Sequence, residues 1–197
     1  MNGSWAKLKP SYIDHTSSIY KHLGKSLKQQ VCVFPHIHLS LERERMGGPL
    51  TLDAEVEVKS PANKFWVSMR DSSNLFPKIF PEQYKNIEVL EGDGKAAGSI
   101  RLITYGEGSP LVKVSKEKID NVDEADKLVT YSVIGGDLLK FYKNFNGSIK
   151  VIPKGDGSLV KWSCGFEKAS EEIPDPHIIK DFAIQNFKEL DEFILKA

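Results

Sequence analysis

The sequence predicts an α+β fold: a curved, seven-stranded antiparallel sheet wrapped around one long C-terminal helix, with two short helices after the first strand. Three patterns carry that expectation. Apolar and charged residues alternate over residues 52–59, six strand-like runs separated by Gly- and Asp-rich turns fill residues 87–168, and a helical apolar period runs through residues 178–194. No strand–helix–strand alternation occurs, which argues against doubly wound nucleotide-binding folds.

In the first strand Leu52, Ala54, Val56 and Val58 alternate with Asp53, Glu55, Glu57 and Lys59, giving one buried and one wet face. Ser60-Pro61 reads as a helix start, with a hydroxyl to accept the first-turn amides and a proline whose φ is preset. That helix is expected to pass through Phe65, Trp66 and Met69 and to close at residues 71–74. Phe76-Pro77 and Phe80-Pro81 bracket a second short helix at residues 75–80. The remaining strands are expected at 87–90, 99–105, 112–120, 127–134, 141–152 and 159–168, and the glycine-rich turns between most of them predict consecutive hairpins. Asp175-Pro176 repeats the cap-plus-proline start, and Ile178, Ile179, Phe182, Ala183, Phe187, Leu190 and Ile194 mark the inward face of the last helix. A curled sheet must bury its concave face, and only this helix is long enough to cover it, an arrangement that leaves room for a cavity.

Composition narrows the function classes. With 197 residues, 40% of them hydrophobic, the chain can bury one substantial core. Lys+Arg and Asp+Glu both total 27, so no net field draws nucleic acid, and none is expected as a partner. The neutrality is uneven: residues 1–45 hold seven basic and three acidic residues, leaving 20 against 24 in the remainder. That basic segment lacks sustained periodicity and reads as a disordered N-terminal extension, with the domain occupying residues 46–197. Cys32 and Cys164 give no disulfide framework and suit a reducing, cytoplasmic location. No secretory leader or membrane-inserted helix is expected, and the chain is expected to be a monomer or weak dimer.

Several motifs invite chemistry and are read as structural. Met46-Gly47-Gly48-Pro49-Leu50-Thr51 fits the loose N-myristoylation pattern only if Met46 begins the chain, and the strand that follows explains it without lipid. Cys32, His36 and His38 lack the second ligand pair of a structural zinc site. The run Gly92-Asp93-Gly94-Lys95-Ala96-Ala97-Gly98 invites a phosphate-loop reading, but Gly98 leads into a strand where such a loop leads into a helix. Neither cofactor nor metal is expected. Gly92, Gly94, Gly98, Gly135 and Gly136 are read as rim elements of the cavity mouth, and Gly136→Trp is expected to fill the entrance without unfolding the sheet.

The aromatic residues carry the binding expectation. Tyr105, Tyr131, Phe141, Tyr142, Trp162 and Phe166 fall on strands, while Phe76, Phe80 and Phe182 fall on helices facing the sheet. Together they exceed what a thin core needs, and an aromatic-lined pocket with a few polar tips is the usual form of a small-molecule site. The Tyr hydroxyls and His177 are expected to orient a polar ligand group, although His177 reads equally as a helix-start residue.

Longer runs resemble the major latex proteins of plants. They are Glu55-Val56-Glu57-Val58-Lys59-Ser60-Pro61-Ala62, Asn74-Leu75-Phe76-Pro77-Lys78, Gly98-Ser99-Ile100-Arg101-Leu102-Ile103-Thr104-Tyr105-Gly106-Glu107-Gly108-Ser109-Pro110, Tyr131-Ser132-Val133-Ile134-Gly135-Gly136, Phe145-Asn146-Gly147-Ser148-Ile149 and Asp175-Pro176-His177. The resemblance implies the Bet v I, START-like helix-grip fold with a cavity beneath the terminal helix. It also implies non-enzymatic binding or transport of steroid-, lipid- or flavonoid-like molecules, linked to plant defence and stress responses. Related norcoclaurine synthases use a Tyr, a Glu and a Lys in that cavity, and alignment places Ser115, Glu117 and Val129 there. Loss of the amine argues against that catalysis, and Glu117 is then read as a surface strand charge. The sister pathogenesis-related proteins have a proposed ribonuclease activity, for which no His pair or basic groove is evident, and a cavity enzyme of either type is the alternative reading. The gate and latch motifs of the abscisic-acid receptors, which share the fold, are absent from the Tyr105-Gly106-Glu107-Gly108-Ser109-Pro110 and Gly135-Gly136-Asp137-Leu138-Leu139 hairpins.

Overall fold

The computed structural model describes residues 49–109 and 111–197, so the readings placed on residues 1–45 and on the Met46 motif lie largely or wholly outside the described residues. Strand β1 (Leu50–Val58) is followed by helices α1 (Ala62–Arg70) and α2 (Ser72–Ile79). Six strands then run in sequence: β2 (Tyr84–Glu91), β3 (Ile100–Tyr105), β4 (Val114–Asp123), β5 (Leu128–Gly136), β6 (Tyr142–Lys154) and β7 (Gly157–Lys168). A 3-10 turn (Asp137–Lys140) joins β5 to β6, and α3 (His177–Lys196) closes the chain.

All seven strands form one antiparallel sheet in the order β1-β7-β6-β5-β4-β3-β2. Only the β1–β7 pairing, with Leu50 opposite Phe166 and Val58 opposite Ser158, is not made between sequence neighbours. Because β1 and β2 stand at opposite edges, the chain between them must cross the full width of the sheet, and α1 and α2 make that crossing. Register shifts lie between Lys116 and Glu117 and between Ile119 and Asn121 in β4, and between Tyr142 and Asn144 in β6. Such bulges bend a strand and increase its twist, which curves the sheet around its buried face.

The helix α3 spans about 30 Å at the usual rise per residue. Its inward residues recur at helical spacing: Ile179, Phe182 and Ala183, then Asn186 and Phe187, then Leu190, Asp191 and Ile194. Ile178, expected on that face, is 44% exposed, since one residue displaces a side chain by about 100° around the axis. Among the described residues no helix is long and apolar enough to cross a membrane.

Both expected side-chain caps are absent. The Ser60 hydroxyl instead donates to the Asp191 carboxylate on α3, whose oxygens also accept the amides of Lys59 at 3.0 Å and Ser60 at 2.8 Å. A buried carboxylate makes its strongest bonds to gathered N–H and O–H donors, a demand that outweighs one neutral helix cap. Asp175 likewise turns to Lys168, 2.6 Å away, and leaves the start of α3 to Pro176. The expected closing loop at residues 71–74 is mostly helix, because Asp71 ends α1 while its carbonyl accepts the amides of Asn74 and Leu75 at 3.0 Å.

Candidate functional site

Beneath the first half of α3 the sheet and helix frame a partly open cavity of about 160 Å³. Its sheet wall follows from strand alternation: Ile103 on β3, Ile119 on β4, Val129 and Val133 on β5 and Ile149 on β6 all point inward. From the helical side come Met69, Phe76, Ile179, Phe182, Ala183 and Phe187.

Tyr84 organises the aromatic wall. Its ring lies 5.2 Å from Phe76, 5.5 Å from Tyr105 and 5.9 Å from Phe182, joining α2, β3 and α3. On the opposite side Tyr131 pairs across the sheet with Gly147, where an added Cβ would stand 2.4 Å from the ring. The glycine therefore allows Tyr131 to lie flat on its neighbour, and Tyr131 Oη accepts a 3.3 Å bond from Trp162 Nε1. Burial is the main cause holding the Tyr84, Tyr105 and Tyr131 phenols above their ordinary range, and the Glu117 charge adds to it, so all three are neutral groups at neutral pH.

A polar strip crosses this apolar lining. Glu117 is 8% exposed and faces the cavity, with Arg101 Nη2 at 3.2 Å and the Ser115 hydroxyl at 3.5 Å. Arg101 also donates through Nη1 to Ser72 Oγ at 3.1 Å. Burial raises the Glu117 carboxyl above its ordinary range, and the charge and hydrogen bond of Arg101 partly offset that rise. Asn186 completes the strip from α3, donating to Tyr84 Oη at 3.0 Å.

The expectation that Glu117 is a surface charge is thus corrected, and Ser115, Glu117 and Val129 all stand in the cavity wall. Its place was legible in β4, where Glu117 shares the parity of buried Ile119 while Lys116, Lys118 and Asp120 take the other face. The same parity argument links Arg101 to Ile103 and Tyr105. Tyr84 escaped notice because Lys85 and Asn86 and a register shift beside it break the alternation at the start of β2. Asn186 shares the inward face of α3 with Phe182 and Phe187, which helical spacing alone could have shown.

Of the residues expected at the ligand site, the structure gathers Phe76, Tyr105, Tyr131, Trp162 and Phe182 around the cavity. Five stand elsewhere. Phe80 is buried against Phe76, 5.4 Å away, behind the lining. Tyr142 and Phe166 pack edge to face at 5.5 Å in the same core but outside the cavity lining, with Tyr142 Oη donating to the Pro174 carbonyl at 2.9 Å. Phe141 follows the 3-10 turn and packs on the core outside the cavity wall, and His177 is exposed at the first position of α3.

None of the five expected rim glycines borders the cavity. In the Gly92 to Gly98 turn, Asp93 Oδ1 accepts the amides of Lys95 and Ala96, both at 2.7 Å, so those N–H groups are not open to an anion. Gly135 and Gly136 end β5 against β4. At Gly136, φ is +100° and an added Cβ would lie 2.3 Å from the Val114 carbonyl, so a tryptophan there would disrupt the sheet, contrary to expectation. Ser109, Val112 and Leu138 from the two neighbouring loops do border the cavity.

The sequence profile of the pathogenesis-related protein Bet v 1 family matches residues 48–197. MLP-like protein 423 of Arabidopsis thaliana is 64% identical over 151 residues, covering 77% of this chain and 97% of that protein. Ribonuclease 2 of Panax ginseng is 34% identical over 140 residues, covering 68% of this chain and 90% of that protein. Among solved structures, the ginseng major latex-like protein 151 from Panax ginseng superposes with a TM-score of 0.66 at 27% identity, covering 76% of this chain and 99% of the other. The strand order, the terminal helix over an apolar cavity and these matches together establish that the chain belongs to the Bet v 1 family, among its major latex protein-like members.

Proposed function

We propose that the chain binds and carries an apolar small molecule of steroid-, lipid- or flavonoid-like kind, without transforming it, as a cytoplasmic monomer or weak dimer serving plant defence and stress responses. The observation that carries this reading is the cavity itself, a partly open, mainly aromatic and aliphatic space with a minority of polar groups in its wall. The name of the ginseng relative raises ribonuclease activity as a second reading. General acid–base cleavage of RNA calls for paired proton-transfer groups and cationic contacts to phosphate. Here the lining's ionic groups are Glu117 and Arg101, bonded to each other, and Arg70, bonded to Glu124 at 3.4 Å, while His177 lies outside it. Among the described residues Glu117 therefore has no second proton-transfer group, and neither arginine is unpaired. These features favour carriage.

Ala183→Trp tests the reading, because Ala183 borders the cavity and a bulky ring there fills it. The wild-type protein is expected to melt at a higher temperature with a saturating apolar ligand and to release that ligand chemically unchanged. Ala183→Trp is expected to keep the wild-type circular dichroism spectrum and to lose at least about tenfold in affinity, roughly 1.4 kcal/mol. Consumption of the ligand would favour an enzyme, and equal affinity of the two proteins would place binding elsewhere.

A further inference from the structure

Two buried polar atoms in the cavity-lining side chains lack a hydrogen-bond partner among the described residues, Arg101 Nε and Asn186 Oδ1. Their other polar atoms are engaged: Arg101 with Ser72 and Glu117, Asn186 with Tyr84. The two orphans are opposite in kind, since Nε–H only donates and Oδ1 only accepts. Asn186 is 5% exposed, so bulk solvent does not meet its need. Buried polar groups are normally satisfied, and a lone donor and a lone acceptor in one cavity mark where a ligand or ordered water supplies the complement.

Charge sets a third requirement. Arg101 is already matched by Glu117 at 3.2 Å, and the three tyrosines around the cavity are neutral. A bound carboxylate would place two anions on one guanidinium in a largely desolvated site, whereas a neutral oxygen adds no charge. Glu117 also cannot leave its partner freely, because unpairing either member strands a buried charge.

We propose that the cavity selects neutral amphiphiles, apolar molecules with a carbonyl or ether oxygen for Arg101 Nε and a hydroxyl for Asn186 Oδ1, over acids of the same skeleton. The proposal rests on the reading of the cavity as a small-molecule site and specifies its ligand class.

Displacement of the apolar fluorophore 1-aminoanthracene from the full chain tests it with two ligand pairs at neutral pH. Testosterone, with a carbonyl and a hydroxyl at opposite ends, is compared with the hydrocarbon 5α-androstane, and myristyl alcohol with myristate. The first member of each pair is expected to bind at least about tenfold tighter than the second. In Asn186→Leu, and in Arg101→Met combined with Glu117→Gln, the testosterone preference is expected to fall by about tenfold, with androstane affinity changed less than about twofold. Asn186→Leu leaves the ion pair intact and carries the test if the double variant does not fold. Equal binding of steroid and hydrocarbon, or tighter binding of myristate than of its alcohol, overturns the selection while leaving the small-molecule site standing. Failure of all four ligands removes both.

Discussion

At the scale of single residues, Glu117 connects the apolar cavity to proton chemistry. Its carboxyl is raised above the ordinary value of 4.5, so the folded state binds that proton more tightly than the unfolded state does. Stability from this source is present below the ordinary value and is lost as pH rises through the raised one. Asp71, Asp93, Asp137 and Glu167 are held low by Lys95, by the Ala96 and Lys95 amides, by Lys140 and by Lys143, and they impose the opposite slope. That slope is common to the wild type and Glu117→Gln, so the difference between their melting curves isolates Glu117. The wild type is expected to lose stability relative to the variant as pH rises above 4.5, and a difference independent of pH would contradict this. Gly147 makes a second prediction at this scale. Gly147→Val displaces the Tyr131 ring and is expected to destabilise the fold by about 1–3 kcal/mol, read as a lower urea midpoint. The sequence displayed both residues, but Gly147 only as a motif member and Glu117 as a surface charge. A close approach between strands depends on pairing register, which composition does not reveal.

At the scale of elements, α3 is held at two different places by two different means. Its first half covers the cavity, while its second half is tied to the β1–α1 corner by Asp191. Asp191→Ala removes the acceptor of three donors and leaves two backbone amides without it, so a loss of about 3 kcal/mol is expected, with an unchanged urea m-value. At the other end of α1, Trp66 Nε1 and Arg70 Nε both donate to Glu124 in the β4–β5 turn, beside the lining residues Met69 and Arg70. Glu124 is largely exposed, so Glu124→Ala is expected to cost less than about 1 kcal/mol. If this contact closes the cavity's α1 side, the variant releases ligand faster in a stopped-flow displacement, and an unchanged rate would place the exit elsewhere. The strands and α3 were legible because their apolar periods are long. The junction of α1 and α2 and the uncapped helix starts were not, because Ser60 and Asp175 turn to partners outside the helices they precede and Asp71 serves two helices at once.

At the scale of the molecule, the edge-to-edge crossing by α1 and α2, the bulged sheet and the covering helix leave a cavity beside a packed core. The sequence showed this architecture through strand spacing and a single long amphipathic helix. It located only part of the lining, since Phe166 and Tyr142 are as aromatic and as buried as Trp162 but pack against each other behind the lining residue Phe145. Which inward-facing rings meet empty space depends on helix placement to within a side chain's width, and binary pattern does not fix that. Native mass spectrometry of the full chain, before and after incubation with a panel of neutral apolar metabolites, measures occupancy of the cavity directly. One bound molecule per chain is expected, recovered on denaturation with its mass unchanged and bound less by Ala183→Trp. A chain that stays at its apo mass across the panel, or that binds equally well with the cavity filled, would contradict it.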